Sequence, residues 1–90
     1  MSKFPLGQIV ATPGALEALE EAGQNAAFFL NKHNRGDWGE VDSEDKQAND
    51  RSLVDGERLL SSYRTLKNVR MWIITEADRS STCILLPEEY

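Results

Sequence analysis

Few side chains in this sequence could do chemistry, and their spacing limits which chemistry. One histidine, His33, and one cysteine, Cys83, are the whole stock of soft ligands and strong nucleophiles in 90 residues. A structural zinc site of Cys and His ligands needs about four such groups, so one chain cannot build it. A Cys83–His33 nucleophile pair would need a thiolate. Cys83 lies in the apolar run Thr82-Cys83-Ile84-Leu85-Leu86, where a thiol behaves as a small buried hydrophobe. Asp42, Glu44 and Asp45 offer oxygen ligands of the kind Mg²⁺ takes. Carboxylates at the start of a helix are also what its dipole favours, and nothing else in the chain points to a metal. Glu76, Asp78 and Arg79 stand together at a turn, where a local ion pair accounts for them. Neither a Walker loop nor a GxGxxG occurs, so no loop cradles a nucleotide phosphate. The expectation is a chain with no catalytic residue, no cofactor and no metal ligand.

Charge is the next constraint. The net charge is −5, and it is unevenly placed. Residues 37–57 hold eight acids (Asp37, Glu40, Asp42, Glu44, Asp45, Asp50, Asp55, Glu57) against Lys46 and Arg51, while the segments on either side are nearly balanced. Such a segment is either the solvated face of a helix or a surface aimed at a basic partner. A sequence pI near 4.8 argues against a polyanion partner. The opposing signal is basic and aromatic: Arg58, Arg64, Lys67, Arg70 and Arg79 share the C-terminal third with Tyr63 and Trp72, a combination that could suit single strands.

The elements that must position these groups are legible from periodicity and punctuation. Ninety residues make one domain. Gly7–Thr12 reads as a short strand. Thr12-Pro13-Gly14 starts a helix over 13–22 that Gly23 ends. Asn25 caps a second helix over 25–33, apolar nearly all round at Ala26-Ala27-Phe28-Phe29-Leu30. The loop Asp37-Trp38-Gly39-Glu40 holds a tryptophan that either plugs the edge of the core or anchors a partner. Asp42 or Ser43 caps a third helix over 43–55, docked by a thin edge of Ala48, Leu53 and Val54. Helical spacing gives way to alternation after Gly56. The sequence then predicts strands at 60–65, 70–77 and 81–86, turning at Asp78-Arg79-Ser80-Ser81. The expected fold is a small α+β domain: a three-stranded antiparallel meander at the C-terminus, about three helices, and a short N-terminal strand besides. Met71, Ile73 and Thr75 point to one face of the middle strand, and Trp72, Ile74 and Glu76 to the other. Both faces are apolar at the centre, so the second needs a helix, the N-terminal strand or a second subunit to cover it.

The run Trp72-Ile73-Ile74-Thr75-Glu76-Ala77-Asp78-Arg79-Ser80, followed by Ile84-Leu85-Leu86-Pro87-Glu88-Glu89-Tyr90, resembles a family of short, uncharacterised bacterial proteins. Gly7–Leu16, Gly36-Asp37-Trp38-Gly39 and Leu59–Thr65 extend the resemblance over most of the chain. Such proteins occur around plasmids and other mobile elements. The resemblance implies a bacterial, cytoplasmic setting and brings no activity or site residue with it.

Three functional expectations follow. The first is an accessory or regulatory protein that binds another protein or itself, as a homodimer, without catalysis. The second is an acidic, nucleic-acid-mimicking inhibitor of a bacterial defence enzyme. The third is a single-strand-binding module. The residues expected at a partner surface are Asp37, Trp38, Glu40, Glu44, Asp45, Asp50, Trp72, Glu76, Asp78 and Arg79. No apolar run is long enough to span a bilayer, the N-terminus has no apolar export signal, and the lone cysteine forms no internal disulfide. The expected location is therefore the cytoplasm, with no membrane partner.

Overall fold

Side-chain caps start all three helices. In the computed structural model, which describes residues 2–90, Thr12 Oγ1 accepts the Ala15 N–H (3.3 Å) and opens α1, Pro13–Ala22. Asn25 Oδ1 accepts from Phe28 N–H (3.1 Å) and opens α2, Ala26–Asn34. Asp42 Oδ1 accepts from Asp45 N–H (2.8 Å) and opens α3, Ser43–Asp55. Each cap satisfies one of the N–H groups a helix start leaves without a partner. Left-handed glycines, Gly23 and Gly56, end α1 and α3.

The strands are β1 (Gln8–Ala11), β2 (Leu59–Arg64), β3 (Arg70–Thr75) and β4 (Ser81–Leu85), in the spatial order β1-β4-β3-β2. This overturns the three-stranded antiparallel meander. The sheet has four strands and is mixed: β2, β3 and β4 are antiparallel neighbours, and β1 joins β4 in parallel. The physical reason is the free edge that the β3–β4 hairpin leaves along β4. There the N–H groups of Gln8 and Thr12 reach the carbonyls of Ser80 (3.0 Å) and Ile84 (2.9 Å). Between β1 and β2 the chain passes through all three helices, a crossover long enough for a strand to return parallel. Alternation marks a strand; it does not name the neighbour.

One face of the sheet is the core face. Tyr63, Met71, Ile73 and Ile84 pack there against Ala15, Leu19, Phe29 and Leu30 of α1 and α2. A second cluster joins Phe4, Trp38 and Leu59. His33, fully buried, lies between the two clusters. Its ring meets Phe4 edge-on (centroids 5.3 Å apart) and Trp38 likewise (5.6 Å).

A chain of buried hydroxyls holds His33. Its Nδ1 lies 2.5 Å from Ser61 Oγ and its Nε2 2.9 Å from Thr75 Oγ1; Thr75 Oγ1 lies 2.8 Å from Thr82 Oγ1, which donates to the Leu6 carbonyl at 2.7 Å. That last bond fixes the direction of the others as far as Nε2. Thr82 has one proton and gives it to a carbonyl, so it accepts from Thr75. Thr75 then accepts from Nε2–H; burial keeps the ring neutral, so Nδ1 carries no proton and accepts from Ser61. The imidazole is neutral and carries its proton on Nε2. Burial, and secondarily the charge of Arg79, hold its pKa down from 6.5 to about 4.

The sign of the resulting pH dependence follows. Below pH 6.5 the unfolded chain takes up a proton that the native imidazole refuses down to about pH 4. Stability from this group is complete above 6.5, falls as pH drops through that window, and is gone below about 4, a loss of about 3 kcal/mol. His33 is the only histidine, so its NMR resonance is unambiguous. A titration midpoint near 4 is expected, against one near 6.5 in urea.

Candidate partner-binding surface

Four of the residues expected at a partner surface belong to the framework. Trp38 is 4% exposed and donates its indole N–H to Asp50 Oδ1 at 3.1 Å, so Trp38 is core and Asp50 is its acceptor. Arg79, in the turn between β3 and β4, reaches across to α3. Its guanidinium donates to the carbonyls of Ser52 (3.0 Å), Glu57 (2.7 Å), Glu76 (3.0 Å) and Ala77 (3.2 Å), and lies over the Phe4 ring. A cation at the carbonyl end of a helix is favoured by the dipole; of the four carbonyls only that of Ser52 belongs to α3, and it also accepts the capping Gly56 N–H (2.9 Å). Asp78 accepts from Ser80 N–H (3.0 Å) inside that same turn; the bonds to Ser80 hold its carboxyl below the usual range.

The loop 37–40 closes the outer edge of β2. Ser62 N–H bonds to Trp38 O (3.1 Å) and Glu40 N–H to Ser62 O (2.7 Å). Gly39 makes that approach possible. It has φ +74, and an added Cβ would lie 2.1 Å from the Ser62 carbonyl oxygen. Asn49 of α3 seals the next position, giving its amide N–H to Leu60 O (2.7 Å) and accepting from Leu60 N–H (3.1 Å). Docking of α3 is thus polar as well as apolar. Val54, expected at its docked edge, is 86% exposed.

The remaining acids do not form one open face. Asp37 pairs with Lys32 (3.8 Å), and Glu40 with Arg64 (3.1 Å) and Arg70 (3.5 Å). Glu44 and Asp45 are exposed in the first turn of α3. At roughly 100° per residue, Glu44 and Asp55 share a side with Arg51, while Asp45 and Asp50 point elsewhere. This arrangement gives little support to phosphate mimicry. Single-strand binding fares similarly, because the cross-strand neighbours Arg64 and Arg70 both turn to Glu40.

The structure does bring Trp72 and Glu76 together, on the sheet face turned away from the helices. Cross-strand register places Leu60, Ile74 and Cys83 in one row there and Ser62, Trp72 and Leu85 in the next. The C-terminal 3-10 turn, Pro87–Glu89, carries Tyr90 over this face. The Tyr90 ring meets Trp72 edge-on (5.8 Å), and its hydroxyl accepts from Arg58 (3.0 Å), which also pairs with Glu76 (3.1 Å). These groups leave an apolar cavity of about 240 Å³ lined by Arg58, Leu60, Trp72, Ile74 and Tyr90. Tyr90 is 73% exposed, so the cover is thin. Sequence reasoning missed Arg58, Leu60 and Tyr90 as members; alternation could have placed Leu60 opposite Ile74, but no local signal marks the return of the C-terminus.

The Cys83–His33 nucleophile pair is not assembled. Cys83 is on the outer face and His33 on the core face. Burial, with the nearby Glu89 and Glu76, pushes the Cys83 thiol up, away from the thiolate. The Ser61–His33 contact resembles a nucleophile and its base, but both side chains, with Thr75, have zero exposure and no substrate reaches them. Among the described residues no three His, Cys, Asp or Glu cluster as metal ligands, and no helix is long and apolar enough to cross a membrane. The chain matches no protein-family model, no curated protein and no solved structure.

The acids separate experimentally by what they touch. Glu44→Gln with Asp45→Asn should change stability by only a few tenths of a kcal/mol, since solvent screens both. Asp50→Ala leaves the Trp38 indole N–H without its acceptor and should cost about 1 kcal/mol. Urea unfolding followed by tryptophan fluorescence distinguishes the two.

Proposed function

We propose that the chain is a small, non-catalytic binding module that recognises another protein through the outer face of its sheet. The observation that carries this reading is the Trp72 cavity. It is apolar and open, built on rigid strands, with an aromatic wall and one cation, Arg58, at its rim. Hot spots at protein interfaces are enriched in tryptophan, tyrosine and arginine, and all three meet here. The occupant that fits is an aromatic side chain of the partner. Tyr90 shows the mode, with an edge-on ring against Trp72 and a hydroxyl on Arg58. The resemblance to short bacterial proteins of mobile elements supplies a setting in which an accessory protein acts by binding, in the cytoplasm.

The test is differential capture. Parent chain, Trp72→Ala and Leu60→Lys are immobilised and exposed to extract of the native cells, and a protein retained by the parent is purified and its affinity measured. Both variants are expected to keep the parent circular dichroism spectrum and to bind at least about thirtyfold more weakly, the loss typical of removing a hot spot. Glu44→Gln, away from the cavity, should bind as the parent does. If Trp72→Ala retains what the parent retains, with equal affinity, the outer face is not the binding surface.

A further inference from the structure

The two edges of the sheet are treated differently. At the β2 edge, Leu60 and Ser62 have their outward backbone groups bonded to Asn49, Trp38 and Glu40. At the other edge, among the described residues, β1 has a neighbour on one side only. Its Gln8 and Thr12 N–H groups point to β4, so alternation turns the N–H and C=O groups of Ile9 and Ala11 outward. Ile9 is 49% exposed and Val10 42%. From Phe4 to Leu16 no residue is charged, in a chain that is 28% charged. Within β1 the devices that blunt an exposed edge, such as an inserted lysine or a proline, are missing.

We propose that the outer edge of β1 is a homodimer interface, where β1 of a second copy adds antiparallel and the two sheets become one. This rests on the β1 edge alone and not on the Trp72 cavity. Three observations favour a second copy over an unrelated strand. First, the edge is self-complementary about a two-fold axis. With Ile9 opposite Ala11 of the second copy, and Ala11 opposite its Ile9, four backbone hydrogen bonds form and Val10 faces Val10 across the axis.

Second, the neighbouring registers are worse. Pairing Ala11 with Ala11 sets Ile9 against Pro13, which has no N–H. Pairing Ile9 with Ile9 sets Ala11 against Gly7, whose φ of +66 takes it out of strand conformation. Third, charge permits the contact. The acidic helix α3 docks on β2, at the opposite edge of the sheet. Two copies meeting along β1 therefore hold their acidic segments apart, and the strand they share, Gln8–Ala11, carries no charge.

Light scattering and sedimentation of the full chain across the micromolar to millimolar range should show twice the 10.1 kDa monomer mass, dissociating on dilution. Ile9→Pro removes an outward N–H while leaving the bonds to β4. It should raise the dissociation constant at least about tenfold, the worth of the two symmetry-related hydrogen bonds. Cross-linking keeps the proposal falsifiable if that variant fails to fold. In a Cys83→Ser background, Val10→Cys should form a disulfide between copies, because directly opposed non-hydrogen-bonded residues have the required separation. Gln8→Cys in the same background should not, because this register sets Gln8 against Thr12. A monomeric mass throughout the range overturns the proposal. So does a dimer that Ile9→Pro leaves intact, or equal cross-linking at positions 8 and 10. So does capture of a different protein along β1 with no self-association.

Discussion

His33 sets a condition that the rest of the structure has to meet. An imidazole without solvent access must have both nitrogens bonded, or its burial costs more than the surrounding apolar contacts return. Its partners lie on separate strands: Ser61 on β2, Thr75 on β3 and, one bond further, Thr82 on β4. The chain of bonds ends at Leu6, just ahead of β1. Satisfying one ring of α2 therefore orders three strands and the entry to the fourth. Hydrophobic patterning could not do this for β3, whose two faces, Met71-Ile73 and Trp72-Ile74, are both apolar. A slip of one residue would leave that apolar pattern nearly unchanged. It would also turn Thr75 to the outer face and strand a buried donor, at about 1–3 kcal/mol. Polar bonding supplies the register that hydrophobicity leaves open.

The same economy governs α3. With few apolar residues, this helix cannot be held by burial alone. It is held as well by polar bonds to the sheet and to the β3–β4 turn. Asn49 stands in for a neighbouring strand along β2, and Arg79 ties the last turn of α3, at the Ser52 carbonyl, to the turn between β3 and β4. Its acids then have room to be acidic, since most of its surface does no packing.

How far the sequence foretells all this depends on the range of each interaction. Helix caps are local, within three residues of the group they bond; Thr12 and Asn25 could be read directly, and the third cap could be narrowed to Asp42 or Ser43, of which the structure uses Asp42. The strands could be recognised by alternation, but their partners could not. β1 pairs with residues more than seventy positions away, and no residue of Gly7–Thr12 encodes that address. The candidate site divides likewise. Trp72 was legible because it alternates with a buried row. Trp38 and Arg79 belong to the framework through contacts with Asp50, Phe4 and the end of α3, none of which is near in sequence. His33 gave the least warning: a lone histidine in a helix carries no sign that three strands will each place a hydroxyl beside it or its neighbour.

Glu89 connects the two surfaces left open. Its carboxylate accepts from the Thr12 hydroxyl, from Gly14 N–H (3.0 Å) and from Leu86 N–H (3.0 Å), and these bonds keep it ionised below the usual carboxylate range. Thr12 ends β1 and caps α1, and the residue after Glu89 is the tyrosine that leans over Trp72. One side chain therefore fastens the cover of the outer face to the end of the edge strand. Gly14 belongs to this arrangement, since a Cβ there would fall 2.6 Å from a Glu89 oxygen and push the carboxylate away. Releasing Glu89 would free the C-terminal turn and loosen the first turn of α1 together. The junction between the C-terminal turn and the end of β1 is thus polar and lies outside both core clusters.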